Sequence, residues 1–186
     1  VLLLRAVHRI KRYIKPDVVI IGGDIINDPD ADDALELLNE LKTITDILEC
    51  PVVVIPGNHD PEPEAFYKIF DNLGEYVDVN GCRIMPFLDR ETPGFNAIRS
   101  DSDLKKLSSA REGFSGQLIT LQHVPVFPAG ITECPYNLDN ADEALRTMAD
   151  AGVSLALAGH YHSGFEAVSS NGIKLVTAAA FCEFPF

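Results

Sequence analysis

Short apolar runs alternate with amphipathic segments along the chain, which is the pattern of an α/β fold. Four runs, at residues 18–21, 52–55, 118–121 and 153–158, are short and mostly apolar, so they predict buried strands. Between them, apolar residues recur every three or four positions, which predicts helices. The pattern therefore indicates strands and helices in alternation, with the core strands running parallel.

Five segments have helical patterns, at residues 3–14, 31–48, 63–70, 103–111 and 140–150. Pro16 closes the first of them, and either Asp28 or Asp30 can cap the second. Asn140, with Glu143 three residues later, resembles a capping box for the last helix. Because a helix that leads into an apolar strand normally follows an earlier strand, we expect one more strand upstream of Val1.

Two Asn-Gly dipeptides, at residues 80–81 and 171–172, predict β-hairpins, since this pair is the strongest short hairpin signal. Residues 88–116 are polar and rich in Ser, Asp and Gly, so apart from helix 103–111 they are interpreted as a surface connection. The segment 124–139 contains three prolines. Its length and composition favour a stiff cover over a site.

Composition limits the classes of function. The chain has 186 residues, of which 46% are hydrophobic, which suits a single globular domain over residues 1–186. Asp and Glu number 28 against 15 Lys and Arg, and the net charge is −13. A nucleic-acid or membrane partner is therefore not expected, and a bound cation is one candidate for holding an anionic substrate.

The four cysteines, Cys50, Cys82, Cys134 and Cys182, lie far apart and form no CxxC pair. They are interpreted as buried thiols of a cytoplasmic protein. No apolar run reaches the length of about 18 residues that a membrane span requires.

Polar residues with metal-binding potential follow each of the four apolar strands. They are Asp24 after the first strand, Asn58, His59 and Asp60 after the second, His123 after the third, and His160 and His162 after the fourth. Each alone has an ordinary interpretation, such as a turn, a helix cap or a hydrogen-bonded core histidine. Together they predict a site, because carboxyl ends of parallel strands lie at one edge and form the ligand crevice there.

Imidazole, carboxylate and amide groups form a borderline-to-hard ligand set that suits Mn²⁺, Fe or Zn²⁺, and no cysteine lies among them. A carboxylate that can bridge allows two ions about 3.5–4 Å apart, which is the arrangement that supports displacement at phosphorus. The donor set therefore predicts two divalent metal ions.

The motifs Gly-Asp-Ile-Ile-Asn at 23–27, Gly-Asn-His-Asp at 57–60, His123, and Gly-His-Tyr-His at 159–162 resemble the calcineurin-like metallophosphoesterase superfamily. The resemblance implies an α/β sandwich of two mixed β-sheets flanked by helices. It also implies a first strand that ends in an Asp-x-His motif, and we expect this strand to lie upstream of Val1.

By the same resemblance, Asp24 would bridge the two metals and His162 would bind the first. Asn58, His123 and His160 would complete the shell of the second metal. His59 would contact the substrate, and Asn27 would lie beside the site without binding a metal. The mechanistic hypothesis is that Asp60 orients the His59 ring and keeps it protonated, so that the ring stabilises or protonates the leaving oxygen.

The function expected from this resemblance is hydrolysis of a small phosphomonoester or phosphodiester by a hydroxide that both metals bind. The alternative is a catalytically degenerate scaffold that uses the same fold to bind a protein partner. The sequence leaves open the substrate, the metal and the oligomeric state.

Overall fold

The computed structural model describes residues 2–131 and 133–181, and the chain divides into two compact units that span residues 1–74 and 75–186. The first unit contains two parallel strands and three helices. These are α1 (Leu2–Arg9), which continues as a π-helical turn (Ile10–Ile14), β1 (Val19–Ile21), α2 (Ala34–Thr45), β2 (Val52–Val54) and α3 (Pro63–Phe66).

The core of the first unit lies against strand β2. Leu38 of α2 and Phe66 of α3 are fully buried, and they belong to one apolar cluster with Val54. Strand β1 pairs with β2 in parallel, with Val19 opposite Val52. The two strands therefore end at the same edge, which sets the places of Asp24 and Asn58.

Helix α2 is shorter than predicted at both ends, and neither expected cap forms. Its first turn is preceded by Asp33, whose side chain makes no capping hydrogen bond. The Asp28 carboxylate instead accepts the N–H of Asp30 at 3.0 Å. The aspartates thus shape a turn in the loop before the helix, which is a common alternative use of an Asp side chain.

The second unit is built on a six-stranded mixed sheet. Its elements are β3 (Val77–Val79), β4 (Cys82–Pro86), β5 (Arg90–Thr92), β6 (Asn96–Ile98), α4 (Asp101–Ser109), β7 (Gln117–Leu121), α5 (Ala141–Asp150), β8 (Val153–Ala158), β9 (Phe165–Ser170) and β10 (Ile173–Thr177). The strand order is β3-β4-β7-β8-β10-β9, and the four central strands are parallel. The mixed α/β fold class is therefore confirmed.

Helix α5 packs on β8 and α4 packs on α5. The buried positions of α5 are Ala141, Ala144, Leu145 and Met148, which follow the helical period. Both predicted hairpins form, with β3 paired to β4 and β9 paired to β10. The four strands that carry the predicted site residues are divided between two sheets, since β1 pairs with β2 while β7 pairs with β4 and β8.

Residues 88–116 are more than a surface connection, so that prediction is wrong. They contain the β5–β6 hairpin and the side chain of Arg99, which is fully buried. The predicted capping box is also wrong. The Asn140 side chain makes no capping bond at α5 and instead binds the main chain of Arg99, accepting its N–H at 3.1 Å and donating to its carbonyl at 3.0 Å.

The cysteines that the structure describes are free thiols. Cys134 is buried as predicted, but Cys50 and Cys82 are only half-buried, and Cys182 lies outside the described residues. None of the described helices is both long enough and apolar enough to cross a bilayer.

Candidate metal and catalytic site

The carboxyl ends of β1 and β2 carry the part of the candidate site that lies in the first unit. Asp24 follows β1, and its Oδ1 accepts the main-chain N–H of His59 at 2.9 Å. This bond ties the two loops together beyond their strands. Asp24 has a φ of 55°, in the left-handed region that non-glycine residues seldom adopt. A strained backbone held at a predicted ligand position is a common feature of functional sites.

The Asp60 carboxylate is buried and binds three main-chain N–H groups. Oδ1 accepts from Ile25 at 2.9 Å and from Ile26 at 3.2 Å, and Oδ2 accepts from Gly57 at 2.8 Å. Burial raises the pKa of Asp60 above its usual range, although the three N–H groups act in the opposite direction. Asp60 therefore fixes the loop after β1 against the loop after β2.

The expected contact between Asp60 and the His59 ring is not found, and that prediction is corrected. The ring is exposed, and its Nδ1 lies 2.9 Å from the carbonyl oxygen of Asn27. Because a carbonyl only accepts, Nδ1 carries the proton in this contact. Nε2 is then the nitrogen that can exchange a proton with a substrate. Asn27 thus orients His59 with its main chain.

Two histidines follow adjacent parallel strands in the second unit. His123 comes two residues after β7 and His160 two residues after β8. His123 Nε2 and His160 Nδ1 are 3.0 Å apart, and the rings meet edge to face with centroids 4.8 Å apart. The Tyr136 ring also contacts His160, with a centroid distance of 4.5 Å.

The spacing of this histidine pair suits a metal ion. Zinc binds imidazole nitrogen at about 2.0–2.1 Å in tetrahedral geometry, so two nitrogens on one ion lie roughly 3.3–3.4 Å apart. The observed 3.0 Å is a hydrogen-bond distance between the two rings, and a separation a few tenths of an ångström larger would let both nitrogens bind one ion. His160 has a φ of 62°, so it adopts the same left-handed backbone as Asp24.

The remaining predicted metal ligands are Asn58 and His162. Asn58 is half-buried in the loop after β2. His162 is exposed, and its carbonyl accepts the N–H of Ala180 at 2.8 Å. Within each unit, the structure therefore brings together Asp24 with His59, and His123 with His160.

Sequence reasoning missed a buried group of polar side chains next to His123. Arg99 binds Asp89 through two nitrogens, at 2.9 and 2.8 Å, and its Nη2 lies 3.4 Å from Oε1 of Gln122. The only hint of this group in the sequence is the polar residue Gln122 directly before His123. Nothing local in the sequence indicates that Arg99 is buried.

Comparison with known proteins identifies the family. The family described as calcineurin-like phosphoesterase matches residues 2–164, and the chain belongs to this family. The chain is 31% identical over 158 residues to a probable cyclic nucleotide phosphodiesterase from Synechococcus sp., a match that covers 81% of the chain and 59% of the relative. It is 27% identical over 168 residues to another from Coxiella burnetii, covering 80% of the chain and 61% of the relative.

Among solved structures, a dimetal phosphatase from Danio rerio has the same fold. The TM-score is 0.80 at 19% identity, and the match covers 99% of this chain and 78% of that protein. The two sequence relatives are longer, since the chain spans about three fifths of their length (59% and 61%).

Proposed function

We propose that the protein is a metal-dependent phosphoesterase that hydrolyses a small phosphomonoester or phosphodiester. The observation that carries the proposal is the His123–His160 pair, with two ring nitrogens 3.0 Å apart in a chain of the calcineurin-like phosphoesterase family. The names of the two sequence relatives make a cyclic nucleotide the first phosphodiester to test.

We assign metal binding to Asp24, Asn58, His123, His160 and His162. Their oxygen and imidazole donors suit two divalent ions of the Mn²⁺, Fe or Zn²⁺ type. When bound, such ions supply Lewis acidity that lowers the pKa of water towards neutrality and stabilises negative charge on phosphate oxygens.

The catalytic proton is assigned to His59. Its Nδ1–H is held by the Asn27 carbonyl, so a protonated ring would donate from Nε2 to the leaving oxygen of the ester. Asp60 acts on the main chain, where its three hydrogen bonds keep the loops of Asp24 and His59 in place. His59 is thus a catalytic residue in this proposal, and Asp60 is a positioning residue.

The test is hydrolysis of a cyclic nucleotide and of a generic aryl phosphate, with Mn²⁺, Fe²⁺ or Zn²⁺ added and with a chelator as the control. His59→Ala should lower kcat by about 10²–10⁴-fold and leave metal content unchanged, because general acid catalysis contributes an effect of this size. The matched control is His8→Ala, since His8 is an exposed histidine on α1. It should change neither quantity.

Two results would count against the assignment. Loss of metal from His59→Ala would mean that His59 is a ligand and not an acid. A metal-loaded protein that hydrolyses neither substrate would favour the alternative of a non-catalytic scaffold.

A further inference from the structure

The Arg99–Asp89 pair is buried to an extent that stability alone does not explain. The Arg99 side chain is 0% exposed and that of Asp89 is 2% exposed. The guanidinium also lies over the Phe87 ring, 4.0 Å from its centroid. Removing two charges from water is costly, and apolar residues of similar volume are often as stable or more stable at such positions.

The buried side chain of Gln122 adds a second unfavourable contribution to stability beside the Arg99–Asp89 pair. Its side chain is fully buried and its Oε1 accepts from Arg99 at 3.4 Å. Its Nε2 has no hydrogen-bond partner among the residues that the structure describes. A buried amide that is only partly satisfied lowers stability, so an apolar side chain would serve the fold better here.

The group lies where β7 ends and is hydrogen-bonded to α5 and β8. Asn140, at the start of α5, holds the main chain of Arg99 through two hydrogen bonds. The Gln122 N–H donates to Leu157 at 3.1 Å, and the carbonyl of His123 accepts the Gly159 N–H at 3.0 Å. Main-chain hydrogen bonds therefore hold residues 122 and 123 beside the end of β8, and the Gln122 side chain adds one further link, to Arg99.

We propose that Arg99, fixed by Asp89, is a positioning residue that holds Gln122 and thereby sets His123 for metal binding. This inference rests on the proposed function, because it assumes that His123 is a metal ligand. Groups that orient a metal ligand from behind typically change metal affinity by about 10–100-fold when they are removed.

The test uses Gln122→Met, which keeps side-chain volume and removes the acceptor of the Arg99 contact. The matched control is Thr120→Val. Thr120 lies two residues earlier on β7, is equally buried, and its Oγ1 has no partner among the described residues. Both variants replace a buried polar group by an apolar one, and only the first breaks a bond to Arg99.

Three measurements separate positioning from folding. Gln122→Met should unfold in urea at the same or a higher midpoint than the parent protein. Its Zn²⁺ affinity, measured by calorimetry, should fall about 10-fold or more. In the metal-free protein, the ring signals of His123 in ¹H–¹⁵N NMR spectra should shift. Thr120→Val should leave the affinity and the ring signals unchanged.

Arg99→Lys is the second variant. It keeps a positive charge beside Asp89 but lacks the second nitrogen that reaches Gln122, so it should lower Zn²⁺ affinity in the same direction. Unchanged affinity and unchanged His123 signals in Gln122→Met would overturn the proposal. Equal losses in Gln122→Met and Thr120→Val would also overturn it, because both would then report general packing.

The outcome is distinct from that of the proposed function. A protein whose Zn²⁺ affinity depends on Gln122 but that hydrolyses no phosphoester would overturn the proposed function and support the positioning role. If the protein hydrolyses a phosphoester but Gln122→Met changes neither the Zn²⁺ affinity nor the His123 ring signals, the proposed function is supported and the positioning role is overturned.

Discussion

The two ends of the six-stranded sheet each have an arginine held by an aspartate through two nitrogens, but they bury it very differently. At the amino end of β4, Arg83 binds Asp78 at 2.9 Å through both Nε and Nη2, and the side chains are 8% and 44% exposed. At the carboxyl end, the Arg99–Asp89 pair is 0% and 2% exposed.

The Arg83–Asp78 pair has an environment that stabilises the fold, whereas the Arg99–Asp89 pair beside the candidate site has a large desolvation cost. Arg83 is stacked between the rings of Tyr76 and Phe114, at 3.7 and 4.3 Å from their centroids, and the carboxylate that it binds keeps contact with water. Arg99 lies beside the residue before His123. Carboxyl ends of parallel strands are where ligands bind in α/β proteins, so the end with the larger burial cost is also the end expected to carry the chemistry.

The largest effect on stability is expected at the carboxyl end of the six-stranded sheet, from the Arg99–Asp89 pair. Arg99→Met should lower the free energy of unfolding by about 3–5 kcal/mol, because it leaves the Asp89 charge buried without its partner. Urea unfolding measures this. The double variant Arg99→Met/Asp89→Leu removes both charges and should regain most of the loss. If Arg99→Met alone lowers the free energy of unfolding by less than about 1 kcal/mol, the two arginine–aspartate pairs do not differ in burial cost.

The first unit also has a buried and an exposed carboxylate that can be compared, Asp60 and Asp46. Asp60→Ala should cost about 2–4 kcal/mol, since it leaves the N–H groups of Ile25, Ile26 and Gly57 without their acceptor. The control is Asp46→Ala. Asp46 pairs with Lys42 on the surface, with a side chain that is 59% exposed, so its loss should cost less than about 1 kcal/mol. Equal urea midpoints for the two variants would contradict the prediction.

At the amino end of the sheet, Arg83→Met should cost about 1–2 kcal/mol at pH 7, from a partly exposed ion pair and its ring contacts. The hydrogen bond from Arg83 lowers the pKa of Asp78 below its usual value of 3.8. A lowered carboxylate pKa adds stability above the usual pKa, and this stability is lost as the pH falls through the folded value. The difference between parent and variant should therefore shrink below about pH 4. A difference that stays constant to pH 2 would mean that the ring contacts and the hydrogen bond from Arg83 Nη1 to the Ala110 carbonyl, at 3.0 Å, dominate.

The smallest effect is expected in the β3–β4 turn. Gly81 has a φ of 78°, and an added Cβ would meet nothing within 4 Å. Gly81→Ala should therefore cost about 1 kcal/mol through backbone conformation alone. The same unfolding experiment measures this cost. If Gly81→Ala loses more unfolding free energy than Arg83→Met, the turn contributes more to the stability of the amino end of the sheet than the ion pair does.

Local signals allowed much of the fold to be predicted. Apolar runs gave the core strands, and Asn-Gly dipeptides gave both hairpins, because these features depend on neighbouring residues. The β5–β6 hairpin was missed, since its strands are three residues long and mostly polar. It is held by distant contacts, such as the hydrogen bond from the Asn137 N–H to Asn96 Oδ1 at 2.9 Å.

Within the site, the sequence identified residues better than it identified their contacts. Asp60 and His59 are neighbours in the chain, yet Asp60 binds three main-chain groups and His59 meets Asn27. Polar side chains have several partners to choose from, and the fold decides among them. The full set of metal ligands stays a prediction.

The left-handed backbone at Asp24 and His160 has a practical consequence for engineering. At such a φ, glycine would relieve roughly 1 kcal/mol of strain at each position. The same change would also remove the Asp24–His59 hydrogen bond or the ring contacts of His160, so a screen for heat resistance alone would weigh strain against these contacts and would not register the loss of a proposed ligand. Selection on this scaffold should score ion uptake and thermal tolerance together.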